Sequence, residues 1–191
     1  MKKNIYIELN NIIRDINTKT VQVYKSDNPE KEFPEDYDGQ DLQKYLGVED
    51  GDELIEFMYV EAPMRIFGYA SETEDGVSFM LNEFYKKYRD EHNLIIFSNE
   101  IEKSKPATLM FLARMGLLID NIKFFPLKDY INVNKEADII ITNNEDIINV
   151  GESTYITVNK KESDFKNNEI IKVTSFKELV ENEYIERNEL A

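Results

Sequence analysis

Two runs, "NLIIFSN" at residues 93–99 and "ADIIITNN" at 137–144, are continuously apolar for several residues and then stop in small polar ones. A strand that is apolar at every position is buried on both faces, the environment of a parallel sheet covered by helices. "NIYIEL" (4–9) instead alternates Ile5, Ile7 and Leu9 with Tyr6 and Glu8. "NIKFFP", "TYITVN" and "EIIKVTS" supply further short segments rich in Ile, Val, Phe and Thr, the residue types that strands favour.

Helical patterns lie between these strands. Val77, Met80, Leu81, Phe84, Tyr85 and Tyr88 recur at helical spacing and predict one buried stripe starting after Gly76. Ser104 is positioned to cap a helix through "KPATLMFLARMGLL", with Pro106 tolerated in its first turn. Ser175 and Glu178 form a capping-box pattern ahead of "LVENEYIERN". Strands alternating with helices predict an α/β, Rossmann-like, mostly parallel sheet flanked by helices.

Residues 17–60 interrupt that rhythm. "YKSDNPEKEFPEDYDGQ" is charged and carries two prolines and a glycine, so it reads as loop. "QDLQKYLG" and "GDELIEFMYVEAP" read as short helical or mixed pieces. The expected organisation is a core of residues 1–16 and 76–191, with a small cap-like subdomain at 17–75 inserted after the first strand. Tyr37, Tyr45, Phe57, Tyr59 and Phe67 are the expected core of that insert.

The chain has 38 acidic and 23 basic side chains, a net charge of -15. That balance argues against direct nucleic-acid binding, which requires a basic face. Lys86, Lys87 and Arg89, and Lys103 and Lys105, sit among acids and read as solvated helix faces. Without cysteine, disulfides and thiolate metal sites are excluded. No run approaches the roughly 18 apolar residues of a membrane helix, and residues 1–16 lack the pattern of a signal peptide. No membrane partner and a cytoplasmic setting are expected.

Quoted in order, "IYIELNNIIRD", "LIIFSNE", "FFPLKDY" and "ADIIITNNED" place polar residues at the ends of successive strands, where open parallel sheets bind ligands. This order resembles the haloacid dehalogenase-like (HAD-like) phosphatases, especially their nucleotidase branch. The resemblance covers residues 4–16 and most of 76–187, and residues 17–75 fall where that family places its cap. It implies an aspartate after the first strand that attacks phosphorus and a second, two residues on, that protonates the leaving oxygen. It also implies a Ser or Thr and a Lys that hold the phosphoryl group, and acids after the fourth strand that help hold magnesium.

Carried over to this chain, Glu8 stands at the nucleophile position, one methylene longer than aspartate. A misplacement of about 1 Å can cost on the order of a hundredfold in rate. Asn10 stands at the acid/base position, and an amide cannot exchange protons near neutral pH. Ser98 matches the phosphate-binding hydroxyl and Lys128 the lysine. Thr142, Asn143 and Asn144 replace the metal-binding acids, with Asp138, Glu145 and Asp146 nearby. Glu8, Asn143 and Asn144 are thus vestigial metal positions, and no cofactor is expected.

These substitutions predict a catalytically inactive HAD-like protein, a structural or protein-interaction module with protein partners. A phage assembly or virion component would suit such reuse, which adds the virion as a second location. The alternatives are a weak magnesium-dependent phosphatase or 5'-nucleotidase using Glu8, Ser98, Lys128 and Mg2+, and a regulatory domain that binds a phosphorylated ligand without hydrolysing it. His92, the one histidine, reads as an exposed loop residue. "YDGQD" and "EDGDE" lack the acid spacing of calcium loops and read as acidic turns. The 17–75 segment, with its aromatic residues, is the expected place of the main partner contact. Its loop 27–41 is expected to be mobile alone and ordered in the complex, because it has too few apolar residues to offset its own ordering entropy.

Overall fold

Strand β1 (Asn4–Glu8) lies inside a six-stranded sheet with β4 (Asn93–Asn99), β5 (Asn121–Phe125), β6 (Ile139–Ile141), β7 (Thr154–Val158) and β8 (Ile170–Val173), in the order β5-β4-β1-β6-β7-β8. Every pairing in it is parallel. This is the α/β sheet that the apolar runs predict. The computed structural model describes residues 2–35, 37, 39, 41–159, 170–182 and 184–187.

The two-residue period of the strands divides the core into two layers. Ile5 and Ile7 of β1, Leu94 and Ile96 of β4, Ile139 and Ile141 of β6, and Ile156 and Val158 of β7 share one face. There they meet helices α4 (Val77–Tyr88), α5 (Ser104–Arg114), α7 (Phe176–Glu181) and α8 (Tyr184–Arg187). Tyr6, Phe97, Ile140 and Tyr155 point to the other face. A 3-10 segment at Tyr130–Lys135 and helix α6 (Glu145–Ile148) cover it through Val133, Ile147 and Ile148. No helix among the described residues is long and apolar enough to cross a membrane.

Helix α4 has the predicted boundaries and buries the predicted stripe, apart from the half-buried Met80. Ser175 caps α7 by accepting from the Glu178 N–H at 3.1 Å, but the return bond shifts by one residue. Glu178 Oε2 accepts from the Thr174 N–H and hydroxyl, at 2.7 and 2.6 Å. Ser104 does not cap α5. Its hydroxyl donates to the Ile101 carbonyl at 2.6 Å and accepts from the Ile101 N–H at 3.0 Å, closing the turn before the helix. Residues 183 and 188 of the expected C-terminal helix lie outside the described residues.

His92 is buried, a correction to its expected exposure: its ring lies 6.0 Å from that of Tyr88 and its N–H bonds the Tyr88 carbonyl, ending α4.

Between β1 and α4 the chain makes a two-stranded antiparallel ladder, β2 (Arg14–Asp15) with β3 (Ser71–Glu72). The segment between its strands holds α1 (Ile16–Asp27), α2 (Leu42–Leu46), α3 (Gly51–Glu56) and π-helical turns at Phe57–Glu61 and Met64–Gly68. Tyr24–Asp27, expected as loop, form the last turn of α1. The β-branched run Thr18, Thr20, Val21 and Val23 masks that helix in the sequence. Phe57, Tyr59 and Phe67 are buried in the segment's own apolar cluster, and Tyr37 and Tyr45 pack against it, as expected. Asp50 caps α3 within "EDGDE", while Asp38 and Gln40 of "YDGQD" lie outside the described residues.

Candidate functional site at the strand ends

Parallel pairing brings the carboxyl ends of β1, β4 and β6 side by side, with Glu8 in register with Phe97 and Ile7 with both Ile96 and Ile141. After Glu8 the chain folds back sharply. Asn11 adopts a left-handed φ of 61°, a conformation that asparagine tolerates better than most residues. The Ile13 and Arg14 N–H groups both donate to the Leu9 carbonyl, at 3.1 and 2.9 Å. That turn aims the Arg14 side chain back at Asn10.

On the β4 side of β1, Arg14 is fully buried and nearly every polar atom has a partner. Its Nε and Nη2 donate to Asn10 Oδ1 at 3.0 and 2.5 Å. Nη1 donates to the Phe67 carbonyl at 3.1 Å and to Thr108 Oγ1 at 2.7 Å. Nη2 also pairs with Glu100 Oε1 at 2.8 Å, an ion pair with no solvent exposure on either side chain. The guanidinium lies 5.0 and 5.3 Å from the ring centres of Phe67 and Phe111. Burial pushes the Arg14 pKa below its ordinary value, and the Glu100 carboxylate opposes that shift.

Asn10 sits at the centre of this network. Because Arg14 can only donate, Asn10 must present its oxygen to it, and its Nδ2 then donates to Ser98 Oγ and Asn99 Oδ1 at 3.1 and 3.0 Å. Ser98 in turn donates to Glu100 Oε1 at 2.8 Å. Tyr59 closes the cluster from the inserted segment. Its phenol is raised well above the ordinary range, first by burial and then by the Glu100 charge.

On the β6 side the bonds run through hydroxyl and amide groups. The Thr142 hydroxyl donates a short hydrogen bond to Glu8 Oε2 and accepts the Asn144 N–H at 3.0 Å. The Asn143 amide lies along the end of β7, donating to the Val158 carbonyl at 2.8 Å and accepting from its N–H at 3.0 Å. Asn144 Oδ1 accepts the Asp146 N–H at 3.0 Å and caps α6. The Tyr130 phenol is pushed up to about 12, first by burial and then by its bond to Asp146, with the Glu8 charge adding to the shift.

The structure therefore brings Glu8, Asn10, Ser98 and Thr142 together at the strand ends, as the sequence order implies. Lys128 is exposed in the turn after β5 and joins neither network. At the strand ends these positions are buried. Glu8 is 8% exposed, Asn10 2% and Ser98 1%, and Arg14 and Glu100 bond directly to Asn10 and Ser98. Arg14, Glu100 and Thr108 were not singled out in the sequence. The available signal was one arginine inside "NNIIRDI" and one acid directly after "IIFSN", two opposite charges flanking strand ends that meet.

The donor set does not fit magnesium, whose octahedral site draws on carboxylates and water. Glu8 ends β1 as a carboxylate, but Asn143 spends both ends of its amide on Val158, and Asn144 spends its oxygen on a helix cap. Among the described residues, no group of three Asp, Glu or His side chains could hold an ion.

No protein-family model and no curated protein matches the sequence. Solved structures do match. A haloacid dehalogenase-like family hydrolase, SP0104 from Streptococcus pneumoniae, superposes with a TM-score of 0.60 at 10% identity, covering 94% of this chain and 97% of the other. The chain has the HAD-like fold. A HAD-superfamily hydrolase of subfamily IA from Geobacter sulfurreducens gives 0.55 at 10% identity, covering 95% and 96%. A haloacid dehalogenase-like family hydrolase from Xanthomonas campestris gives 0.51 at 7%, covering 94% and 93%. Coverage this complete means that the HAD-like likeness includes the inserted segment as well as the sheet.

Proposed function

We propose that this chain is a non-hydrolytic HAD-like protein that works as a protein-interaction module. One observation carries the reading: at the position where the resemblance requires a proton donor, the Asn10 amide spends its oxygen on Arg14 and its nitrogen on Ser98 and Asn99. An amide so held neither gives nor takes a proton at neutral pH. Beside it the Arg14–Glu100 ion pair is closed to solvent on both side chains. The partner surface we favour is the inserted segment. It exposes Met64 and Tyr69, and an open groove of about 440 Å³ runs past Lys19, Val23, Arg65 and Tyr69. Residues 27–35 belong to this segment, while Asp36, Asp38 and Gln40 of the expected contact loop lie outside the described residues.

The test is turnover. Purified protein with magnesium is assayed on 5'-nucleotides, because the sequence leans toward the nucleotidase branch, and on sugar phosphates and an aryl phosphate. The expected rate equals that of the Glu8→Gln variant. Hydrolysis by the wild-type chain that Glu8→Gln abolishes would replace this reading with the magnesium-dependent phosphatase.

A further inference from the structure

Three hydrogen-bond donors converge on a single buried oxygen. Glu100 Oε1 accepts from Arg14 Nη2 at 2.8 Å, Ser98 Oγ at 2.8 Å and Thr108 Oγ1 at 2.7 Å. Neither hydroxyl is free to reverse its polarity. Asn10 Nδ2 donates to the Ser98 oxygen at 3.1 Å, and Arg14 Nη1 donates to the Thr108 oxygen at 2.7 Å. Each oxygen is thereby occupied as an acceptor, and each hydroxyl hydrogen is directed at Glu100. A set of one cation and two hydroxyls locked as donors is preorganised for negative charge. The second carboxylate oxygen, Oε2, is buried with no hydrogen-bond partner. The cluster thus holds one carboxylate oxygen through three donors and leaves the other buried without one.

We infer that Arg14, Ser98 and Thr108 form an oxyanion cradle and that Glu100 is its tethered occupant. The ligand class is a small carboxylate. Arg14 is clamped between Phe67 and Phe111 and held by Asn10 and the Phe67 carbonyl, so the cradle's geometry is held by contacts other than those to its occupant. In the wild-type chain an external anion competes against a carboxylate attached to the adjoining strand, whose effective concentration is very high. The cradle is therefore closed to solutes, and it opens when the tethered group is removed. This deepens the non-hydrolytic reading but fails separately from it. Loss of the effect described next removes the cradle, whereas turnover by the wild-type chain removes the reading.

The experiment is chemical rescue of Glu100→Ala by formate. Truncation leaves a cavity lined by the three donors, and engineered buried cavities bind small molecules that match their lining. Thermal unfolding is followed in sodium formate and in sodium chloride at equal ionic strength. The expected result is a melting temperature below wild type in chloride and a saturable rise of several degrees in formate. Wild type and Glu100→Gln, in which the site stays filled, should melt alike in the two salts. An equal response of Glu100→Ala to formate and chloride overturns the proposal, as does a formate effect of the same size on Glu100→Gln. Should Glu100→Ala be unfolded in chloride, native yield on refolding is the readout. Yield restored by formate alone supports the cradle, and yield restored equally by both salts or by neither overturns it.

Discussion

On the β4 side of β1 the Arg14 guanidinium is buried in an ion pair with Glu100, whereas on the β6 side Glu8 accepts from the Thr142 hydroxyl. The two sides close the same row of strand ends at different stakes. A buried ion pair gives little net stability relative to apolar groups of the same volume, but losing one member strands the other as an uncompensated charge. A hydroxyl or amide bond contributes on the order of 1 kcal/mol, and its loss stays local. The ionic side should therefore be brittle to single changes and tolerant of paired ones, and the neutral side should respond moderately to each change alone.

The largest effect tests that brittleness. Arg14→Met leaves Glu100 buried without its cation and should lose about 3–5 kcal/mol of unfolding free energy. Chemical denaturation measures this directly. Arg14→Met combined with Glu100→Leu should recover part of the loss, because no unpaired charge remains although the Asn10 and Phe67 oxygens lose their donor. A double variant as unstable as the single one would break the comparison, since the cost would then come from packing.

How much of this was legible in the sequence differs between the same two sides and the insert. The sheet could be read because "LIIF" and "III" are apolar at every position, and few environments other than a parallel sheet use such strands. Glu8, Asn10, Ser98 and Thr142 could be placed because strand ends in such a sheet are adjacent by construction. The Arg14–Glu100 pair could not, because it depends on a left-handed turn at Asn11 that returns the chain onto Asn10. That turn has no glycine to announce it. Helix α1 was hidden by its β-branched residues, and the two-residue strands β2 and β3 are too short to leave a period.

The neutral side yields smaller predictions. Asn143→Asp sets a carboxylate oxygen against the Val158 carbonyl where Nδ2 now donates, at a cost of about 1–3 kcal/mol. Magnesium should not restore the melting temperature of that variant, because Glu8 and one added acid still leave the ion's coordination incomplete. Restoration by millimolar magnesium, lost again on adding Glu8→Gln, would make the β6 side a latent metal centre and sharpen the contrast with the β4 side. Thr142→Val should cost the least, about 1 kcal/mol, by removing the hydroxyl shared between Glu8 and the Asn144 N–H. A loss as large as that of Arg14→Met would mean that the two sides do not differ in kind.

The central claim is that the chain's own side chains permanently fill the strand ends. Hydrogen exchange at the Arg14 Nε–H, followed by NMR, tests it most directly. With the guanidinium fully buried and bonded to Asn10, Glu100, Thr108 and the Phe67 carbonyl, that proton should exchange as slowly as the most protected backbone amides of β1. Its resonance and rate should be unchanged by magnesium together with a phosphomonoester. Exchange at the rate of a solvent-exposed arginine, or a saturable shift on adding the phosphomonoester, would show that the pair opens to ligand and would contradict the account.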